Sequence, residues 1–234
     1  MITTGYHDNR TISLSGAYWG CCKPSCAWPG KIPGGGSAKS CAKNGVTAVN
    51  PNDVSVCDSG TAHMCTNQQP WNVSSTLSYA FAGANVIVSL FFIETTWLAL
   101  SFYVQGLNES RWCCSCYSLL ISSGLAMGKE IIVQIVNTAY VAYNLFTLQV
   151  PSSGWFGTLN GCASQFNSSY SWGQQNGGVS NRSECAYLPP ALQSGCYWRF
   201  DWFMNSNNPP LRFKAVPCPA VLTAITGCNQ SSIP

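Results

Sequence analysis

The clearest hydrophobic patterns along the chain are short runs that predict β-strands. Residues 130–136 form an apolar run rich in β-branched side chains, which predicts a buried strand, and residues 145–150 predict another. Residues 211–216 alternate between apolar and polar side chains, as a strand with one buried face does. A short helix is expected at 186–193. The patterns therefore predict a domain dominated by β-structure, with a few short helices.

The N-terminal part of the chain shows no such pattern. Residues 1–17 are polar and lack periodicity, so we expect a loose arm, with residues 1–14 outside the folded domain. Residues 29–56 are rich in Gly, Pro, Ser, Asn and Lys, which predicts a long loop pinned by Cys41 and Cys57. The ordered domain is thus expected to begin near residue 15.

One long apolar run, residues 86–104, does not fit this picture. It is nearly long enough to span a bilayer, although Glu94, Thr95 and Thr96 interrupt it near the middle. Three interpretations stay open: a membrane segment, a buried helix or apolar hairpin, and translated non-coding sequence. A membrane segment would have to thread through a cysteine-rich domain, which argues against it.

Composition narrows the classes of partner. The chain has 234 residues, enough for one domain with a sizeable core, and only 8% of them are charged. Its net charge of +3 is small and no Lys/Arg cluster exists, so nucleic acid is not an expected partner.

Fourteen cysteines and two histidines raise the choice between a metal protein and a disulfide framework. The spacings C-C-x₃-C and C-C-x-C fit no common zinc site, so we expect fully oxidised cysteines, no metal and no cofactor. Because such a framework forms outside the reducing cytosol, we expect an extracellular protein. No signal peptide is visible at Met1–Thr4, so its leader is either removed or missing from the sequence. N-linked glycosylation sequons give weaker support, at Asn9, Asn72, Asn108, Asn167, Asn181 and Asn229.

The segment Tyr18–Trp28 carries the strongest family signal. It reads Y-W-G-C-C-K-P-S-C-A-W and resembles the opening motif of the glycoside hydrolase family 45 endoglucanases, R-Y-W-D-C-C-K-P-S-C-x-W. Trp112–Tyr117 is similar to the family motif W-C-C-A-C-Y. Gly195–Phe203 is identical to the family block G-C-Y-W-R-F-D-W-F.

The resemblance implies one barrel domain over residues 15–228, interrupted by an apolar insertion at about 85–105 and followed by a tail, 229–234. The family fold is a six-stranded double-psi β-barrel with long disulfide-tied loops and an open groove. All fourteen cysteines have counterparts in the family. Carried over position by position, the family pairing is Cys21–Cys162, Cys22–Cys57, Cys26–Cys113, Cys41–Cys65, Cys114–Cys228, Cys116–Cys218 and Cys185–Cys196.

The family reaction is inverting hydrolysis of internal β-1,4-glucosidic bonds in cellulose and related glucans. Inversion needs a carboxylic acid and a carboxylate about 6.5–9.5 Å apart, with the attacking water between them. Here Gly20 occupies the family's base position and Thr147 its acid position, within the motif Asn144–Leu148. The family's helper aspartate is also missing from the turn at 138–142. Each lost acid or base costs ~10²–10⁴ in rate, so we expect very poor hydrolysis.

The remaining acidic residues offer no obvious replacement. Eight are present, and none lies near either position in the sequence. They are Asp8, Asp53, Asp58, Glu94, Glu109, Glu130, Glu184 and Asp201. We expect structural roles for Glu184 and Asp201, whereas Asp8 and Asp58 could in principle reach a groove.

Sugar binding depends on aromatic faces more than on carboxylates. Tyr18, Trp19 and Trp28 match groove-lining positions of the family, and we expect these residues, together with Asn144, to bind substrate. For Trp19, packing beneath the cysteines is an equal alternative.

Two functions therefore compete. The first is a secreted, monomeric protein of the endoglucanase type that acts on cellulose or a related β-1,4-glucan, with weakened catalysis and no membrane partner. The second is a non-hydrolytic glucan-binding protein, either a decoy or an expansin-like wall protein. A degenerate copy or a faulty gene model is a third interpretation. Retention on cellulose, measured beside the release of reducing ends, separates these alternatives.

Overall fold

The computed structural model describes residues 11–34, 36–86, 109–139, 145–151, 160–167, 169–174 and 178–230. The strands in these ranges are β1 Thr11–Tyr18, β2 Trp71–Asn72, β3 Leu77–Asn85, β4 Cys116–Ile121, β5 Glu130–Thr138, β6 Leu145–Gln149 and β7 Leu211–Val216. The α-helices are α1 Asn160–Phe166, α2 Pro190–Asp201 and α3 Ala220–Thr226. Short 3₁₀ turns lie at Ser25–Ala27, Val56–Asp58, Glu109–Arg111 and Arg182–Tyr187.

Six of these strands close into a barrel. Hydrogen bonding runs in the order β3-β5-β4-β7-β1-β6, and β6 returns to pair with β3. The pairs β1–β6 and β3–β5 are parallel, and the other barrel pairs are antiparallel. β2 pairs with β3 beside the closed ring. The predicted six-stranded barrel with few helices is confirmed.

Alternate residues of each strand fill the barrel interior, because successive side chains of a strand point to opposite faces. In β6, Phe146 and Leu148 point inward. The Phe146 ring lies 5.0 Å from the Phe213 ring and 5.4 Å from the Tyr117 ring, edge-on to both. Full burial of one such side chain contributes ~1.5–3 kcal/mol to stability. The barrel is therefore a packed core rather than a channel.

The strands predicted from hydrophobic patterns are present. Residues 130–136 lie in β5, residues 145–150 extend one residue past β6, and residues 211–216 are β7. The inner face of β5 packs in the barrel, while its outer face packs against the cysteine-rich loops around Cys26 and Cys113. Burial on both faces explains why β5 reads as a continuous apolar run.

β1 shows where the prediction of an irregular arm is wrong, because this strand already begins at Thr11. The strand inverts the usual polarity. Ser13 and Ser15 are buried, 3% and 6% exposed, whereas Ile12 and Leu14 are 70% and 55% exposed. The Ser15 hydroxyl is satisfied inside by donating to a backbone carbonyl oxygen. A hydrophobic pattern cannot identify a strand whose inner face is polar.

The helix predicted at 186–193 is wrong in its bounds, since the observed helix α2 is Pro190–Asp201. Proline is favoured in the first turn of a helix, and Pro189 before it prevents an earlier start. The helix continues further than predicted because Trp198 and Trp202 stack in the core, with ring centroids 5.4 Å apart. Both tryptophans are therefore structural.

The structure contains all seven disulfide bridges that the family resemblance implies, and it leaves no cysteine free. Three of them start from the segment Cys21–Cys26, which we call the cysteine hub. Its bridges reach α1, the 3₁₀ turn at 56–58 and the chain just before β4. The hub thus joins three distant parts of the chain.

The apolar run at 86–104 lies outside the described residues, apart from Val86. That side chain is buried at the end of β3 and packs in the barrel core. No helix within the described ranges is long and apolar enough to cross a membrane. The three interpretations of 87–104 stay predictions.

Candidate functional site

The outer face of the barrel between β1, β6, β3 and β5 carries two of the predicted site positions, Tyr18 and Thr147. Because Phe146 and Leu148 point into the barrel, the residues that alternate with them on β6 point outward. The same alternation turns Gly83 of β3 outward, between the inward-facing Ala82 and Ala84. In β1 it turns outward the two residues that flank the inward-facing Ala17. We call this set the outer strip: Gly16, Tyr18, Gly83, Asn137, Thr147 and Gln149.

A β-bulge brings Asn137 into the outer strip. Ala82 pairs with Ile135, but the next residue, Gly83, pairs with Asn137, so Val136 is the extra residue of β5. Bulges re-aim side chains, and this one turns both Val136 and Asn137 away from the barrel interior. The Asn137 amide therefore faces Tyr18. Without the bulge, regular alternation would have placed this side chain inside the barrel.

The Tyr18 hydroxyl is the centre of the hydrogen bonds in the strip. It accepts one from Gln149 Nε2 at 2.7 Å and one from Asn137 Nδ2 at 3.0 Å. Burial raises the pKa of Tyr18 to about 12, although both hydrogen bonds oppose the shift. Asn137 Oδ1 in turn accepts from the backbone N–H of Ser25 at 2.9 Å, which ties the strip to the cysteine hub.

Thr147 lies between two glycines on neighbouring strands. It is in register with Gly16 of β1 and with Gly83 of β3. A Cβ atom built on Gly83 would lie 2.8 Å from Thr147 Oγ1, and one built on Gly16 would lie 3.2 Å from Thr147 Cγ2. The glycines therefore leave the space that the side chain at position 147 occupies. Its hydroxyl donates to the Gly83 carbonyl oxygen at 3.3 Å.

Gly20 lies in the buried link between Trp19 and the cysteine hub. Its carbonyl oxygen packs against Gly161 of α1, where a Cβ atom would come within 2.8 Å both of this oxygen and of Cys57 Sγ. The bridges Cys21–Cys162 and Cys22–Cys57 hold the contact on both sides. With no side chain, Gly20 offers only its backbone to a ligand.

Comparison with known proteins identifies this combination of barrel, hub and bridges. The model of glycosyl hydrolase family 45 matches residues 13–229. The chain belongs to glycosyl hydrolase family 45. The crystal structure of the cellulase from the Antarctic springtail Cryptopygus antarcticus superposes with a TM-score of 0.82, at 35% identity, over 96% of this chain and 99% of that one.

Two curated relatives differ in how much of their length is shared. The endoglucanase of Cryptopygus antarcticus is 37% identical over 219 residues, covering 93% of this chain and 88% of the relative. The putative endoglucanase type K of Fusarium oxysporum is 40% identical over 215 residues, covering 91% of this chain. The chain spans 52% of the Fusarium protein, about half its length.

The aromatic residues expected to bind substrate have different surroundings in this family 45 chain. Trp19 is only 2% exposed and packs among Met64, Leu192 and the hub, so its ring presents no open face. Trp28 is half-buried, and the Lys23 ammonium lies 3.5 Å from the centroid of its ring. Tyr18 is 8% exposed, and its hydroxyl is engaged by Asn137 and Gln149. Asn144 lies outside the described residues.

Glu109 is an acidic residue that sequence reasoning did not connect to this site. Its carboxylate accepts a hydrogen bond from Thr138 Oγ1 at 2.8 Å and pairs with the Lys31 ammonium. Thr138 N–H donates to the hydroxyl of Ser25, the residue that also contacts Asn137. Partial burial alone would raise the pKa of Glu109, but the hydrogen bonds from Lys31, Thr138 and Ser25 outweigh it and lower the pKa.

The position of Glu109 in the sequence explains why it was missed. It lies five residues beyond the end of the apolar run at 86–104 and meets a threonine 29 residues away. Its nearness to the Trp112–Tyr117 motif is the one signal that could have indicated it, because Cys113 of that motif bonds to the hub. Among the described residues, no group of three or more His, Cys, Asp or Glu could hold a metal ion.

Two buried tyrosines are expected to ionise late. Burial raises the pKa of both Tyr18 and Tyr117 to about 12, from an ordinary value of 10.0. Between these values the unfolded chain binds fewer protons than the folded one, so the free energy of unfolding should fall as pH rises from about 10 to about 12. Among the tyrosines that the structure describes, ultraviolet titration of tyrosinate should find two groups that stay protonated to about pH 12. Tyr18→Phe should remove one of them, whereas the exposed control Tyr187→Phe should remove neither.

Proposed function

We propose that this chain binds β-1,4-glucan along the outer strip and hydrolyses it very poorly. Membership of family 45 and relatives named as endoglucanases support the substrate class. The proposal of very poor hydrolysis rests on the residue types at two positions. Glycine stands at position 20 and threonine at position 147, where the family resemblance implies the base and the acid.

Neither residue can move a proton in the way an inverting hydrolase requires. Gly20 has no side chain, and the Thr147 hydroxyl does not release a proton to a leaving group near neutral pH. Glu109 is ionised and held by Lys31 and Thr138, so it is a poor proton donor. Loss of both roles leaves positioning as the main contribution to any remaining rate.

The outer strip nevertheless has the chemistry that sugar hydroxyl groups need. Asn137 and Thr147 are half-buried and carry neutral donors and acceptors. The buried Tyr18 hydroxyl accepts hydrogen bonds from Asn137 and from the buried Gln149. Trp28 adds a half-buried indole next to the hub. We include Trp19 as a support that packs beneath the hub, and Asn144 as a further contact.

A purely non-hydrolytic wall-binding protein is the limiting case of the same proposal. The seven bridges favour an extracellular location, because disulfides persist in oxidising compartments. We further propose that the protein acts as a monomer, with one domain that includes β1.

The test measures binding and chemistry on the same preparation. The chain is incubated with insoluble cellulose for retention and with soluble carboxymethyl-cellulose for release of reducing ends. We expect clear retention with little release. Trp28→Ala should weaken retention, whereas Tyr187→Ala, which removes an exposed ring on another turn, should not. Absence of retention by the unmodified chain, or vigorous release, contradicts the proposal.

A further inference from the structure

A cavity separate from the outer strip lies between the β2–β3 hairpin, α2 and α3. Its volume is about 570 Å³, within the range of small-ligand sites. Aromatic side chains form much of the lining, with polar groups at the rim. Its main lining residues are Trp71, Asn72, Tyr197, Trp198, Asp201 and Trp202.

Hydrogen bonds from two indoles hold the β2–β3 hairpin beside this cavity. Trp198 Nε1 donates to the Ser78 hydroxyl at 2.6 Å, and Trp202 Nε1 donates to the Ser74 carbonyl oxygen at 2.8 Å. Asn72 is directly opposite Ser78 across the two strands. Residues paired in this way share a face, so the Asn72 side chain lies on the side of the two indoles.

Asn72 is also the first residue of an N-linked glycosylation sequon, Asn72-Val73-Ser74. Residues 72–76 are all exposed, so the hairpin tip is open to an enzyme. Within the described part of the chain, no hydrogen bond engages the Asn72 amide. The sequon at Asn181 differs, because its Nδ2 donates to Glu184 Oε1 at 2.7 Å and its Oδ1 caps the following turn.

We propose that Asn72 is N-glycosylated and that the first pyranose ring of its glycan packs in the cavity. In the modification, Asn72 Nδ2 displaces a lipid diphosphate from the anomeric carbon of an activated oligosaccharide. A C–N bond forms, the C–O bond to phosphate breaks, and the amide loses one proton. The inference rests on the proposed extracellular location.

The cavity suits a pyranose ring in both its apolar and its polar parts. Trp71 and Tyr197 are half-buried walls whose apolar surface can cover the C–H face of a sugar. Asn67 and Asp201 are exposed at the rim, where hydroxyl groups of the ring would point. Because Asn72 itself lines the cavity, the attached ring reaches these walls without any spacer.

The experiment compares three forms of the full chain secreted from a eukaryotic host. One form is untreated, one is treated with an endoglycosidase that leaves a single sugar on asparagine, and one with an amidase that removes the whole glycan. Peptide mass spectrometry should find the glycan on Asn72. The first two forms should share one thermal midpoint, and the third should melt about 2–4 °C lower, with tryptophan emission shifted to the red.

Variants give matched controls. Asn72→Asp should reproduce the amidase-treated form, because the amidase converts the asparagine to aspartate, and Asn72→Gln should remove the glycan without adding this charge. Asn229→Gln changes an exposed asparagine that does not line the cavity and should change neither midpoint nor emission. An unmodified Asn72, or a glycan whose removal leaves midpoint and emission unchanged, overturns the proposal. If free cello-oligosaccharide binds to the Asn72→Gln variant and the additional change Trp71→Ala abolishes this binding, the cavity is a site for free ligand. That result also overturns the proposal. Retention on cellulose, measured on the same samples, tests the proposed function separately.

Discussion

The double substitution Gly20→Asp, Thr147→Asp is expected to raise the release of reducing ends from carboxymethyl-cellulose by on the order of 10⁴-fold, since each acid–base group contributes ~10²–10⁴. Each single substitution should give far less, because one turnover needs both a proton donor and an activated water. The gain of the double variant should therefore exceed the combined gains of the two single variants.

The surroundings of position 147 favour a carboxyl group in its acid form. An aspartate there would lie beside the Gly83 carbonyl oxygen, which Thr147 Oγ1 contacts now at 3.3 Å. Only a protonated carboxyl can donate a hydrogen bond to that oxygen, and such a bond raises the pKa of the acid. Gly16 and Gly83 leave space for the new side chain on both sides.

Asparagine is the matched control at both positions, because it keeps the shape of aspartate without the carboxyl group. The double variant Gly20→Asn, Thr147→Asn should bind cellulose like the aspartate variant and release no more reducing ends than the unmodified chain.

Vigorous hydrolysis by the unmodified chain would contradict the proposal and direct attention to Asp58. That residue is exposed and follows Cys57, whose sulfur and the Gly20 carbonyl oxygen both border Gly161. Asp58→Asn would then abolish the activity.

Removal of the Cys21–Cys162 bridge is expected to lower the free energy of unfolding by about 2–5 kcal/mol. The bridge joins residues 141 positions apart, so its loss greatly expands the unfolded ensemble. It also holds the Trp19–Gly20 segment against α1. Cys21→Ala, Cys162→Ala should therefore lose retention on cellulose at temperatures where it is still folded. Denaturant unfolding and the cellulose pull-down measure the two effects.

A second bridge separates stability from binding. Cys116–Cys218 has a comparable separation of 102 residues but joins β4 to the chain before α3. Cys116→Ala, Cys218→Ala should lose a similar amount of stability and keep its retention on cellulose. Equal loss of retention in both variants would mean that the hub has no special role in binding. In the unmodified chain, titration of denatured, unreduced protein should find essentially no free thiol.

Much of the barrel could be predicted from the sequence, because burying a strand leaves a pattern in it. β5 is a continuous apolar run because both of its faces are buried. β7 alternates between apolar and polar residues because only one of its faces is buried. The bridges were predictable only through the family motifs, since fourteen cysteines allow many pairings. β1 could not be predicted, because Ser13 and Ser15 face inward and Ile12 and Leu14 face outward.

The sequence by itself determined that no carboxylate stands at positions 20 and 147, since this depends only on which residues are present. The tertiary structure decided which side chains meet in the outer strip and beside it. A bulge at Val136 turns Asn137 toward Tyr18, and a contact across 29 residues brings Glu109 to Thr138. Strand register, bulges and loop closure create these contacts, and none of them leaves a periodic pattern in the sequence.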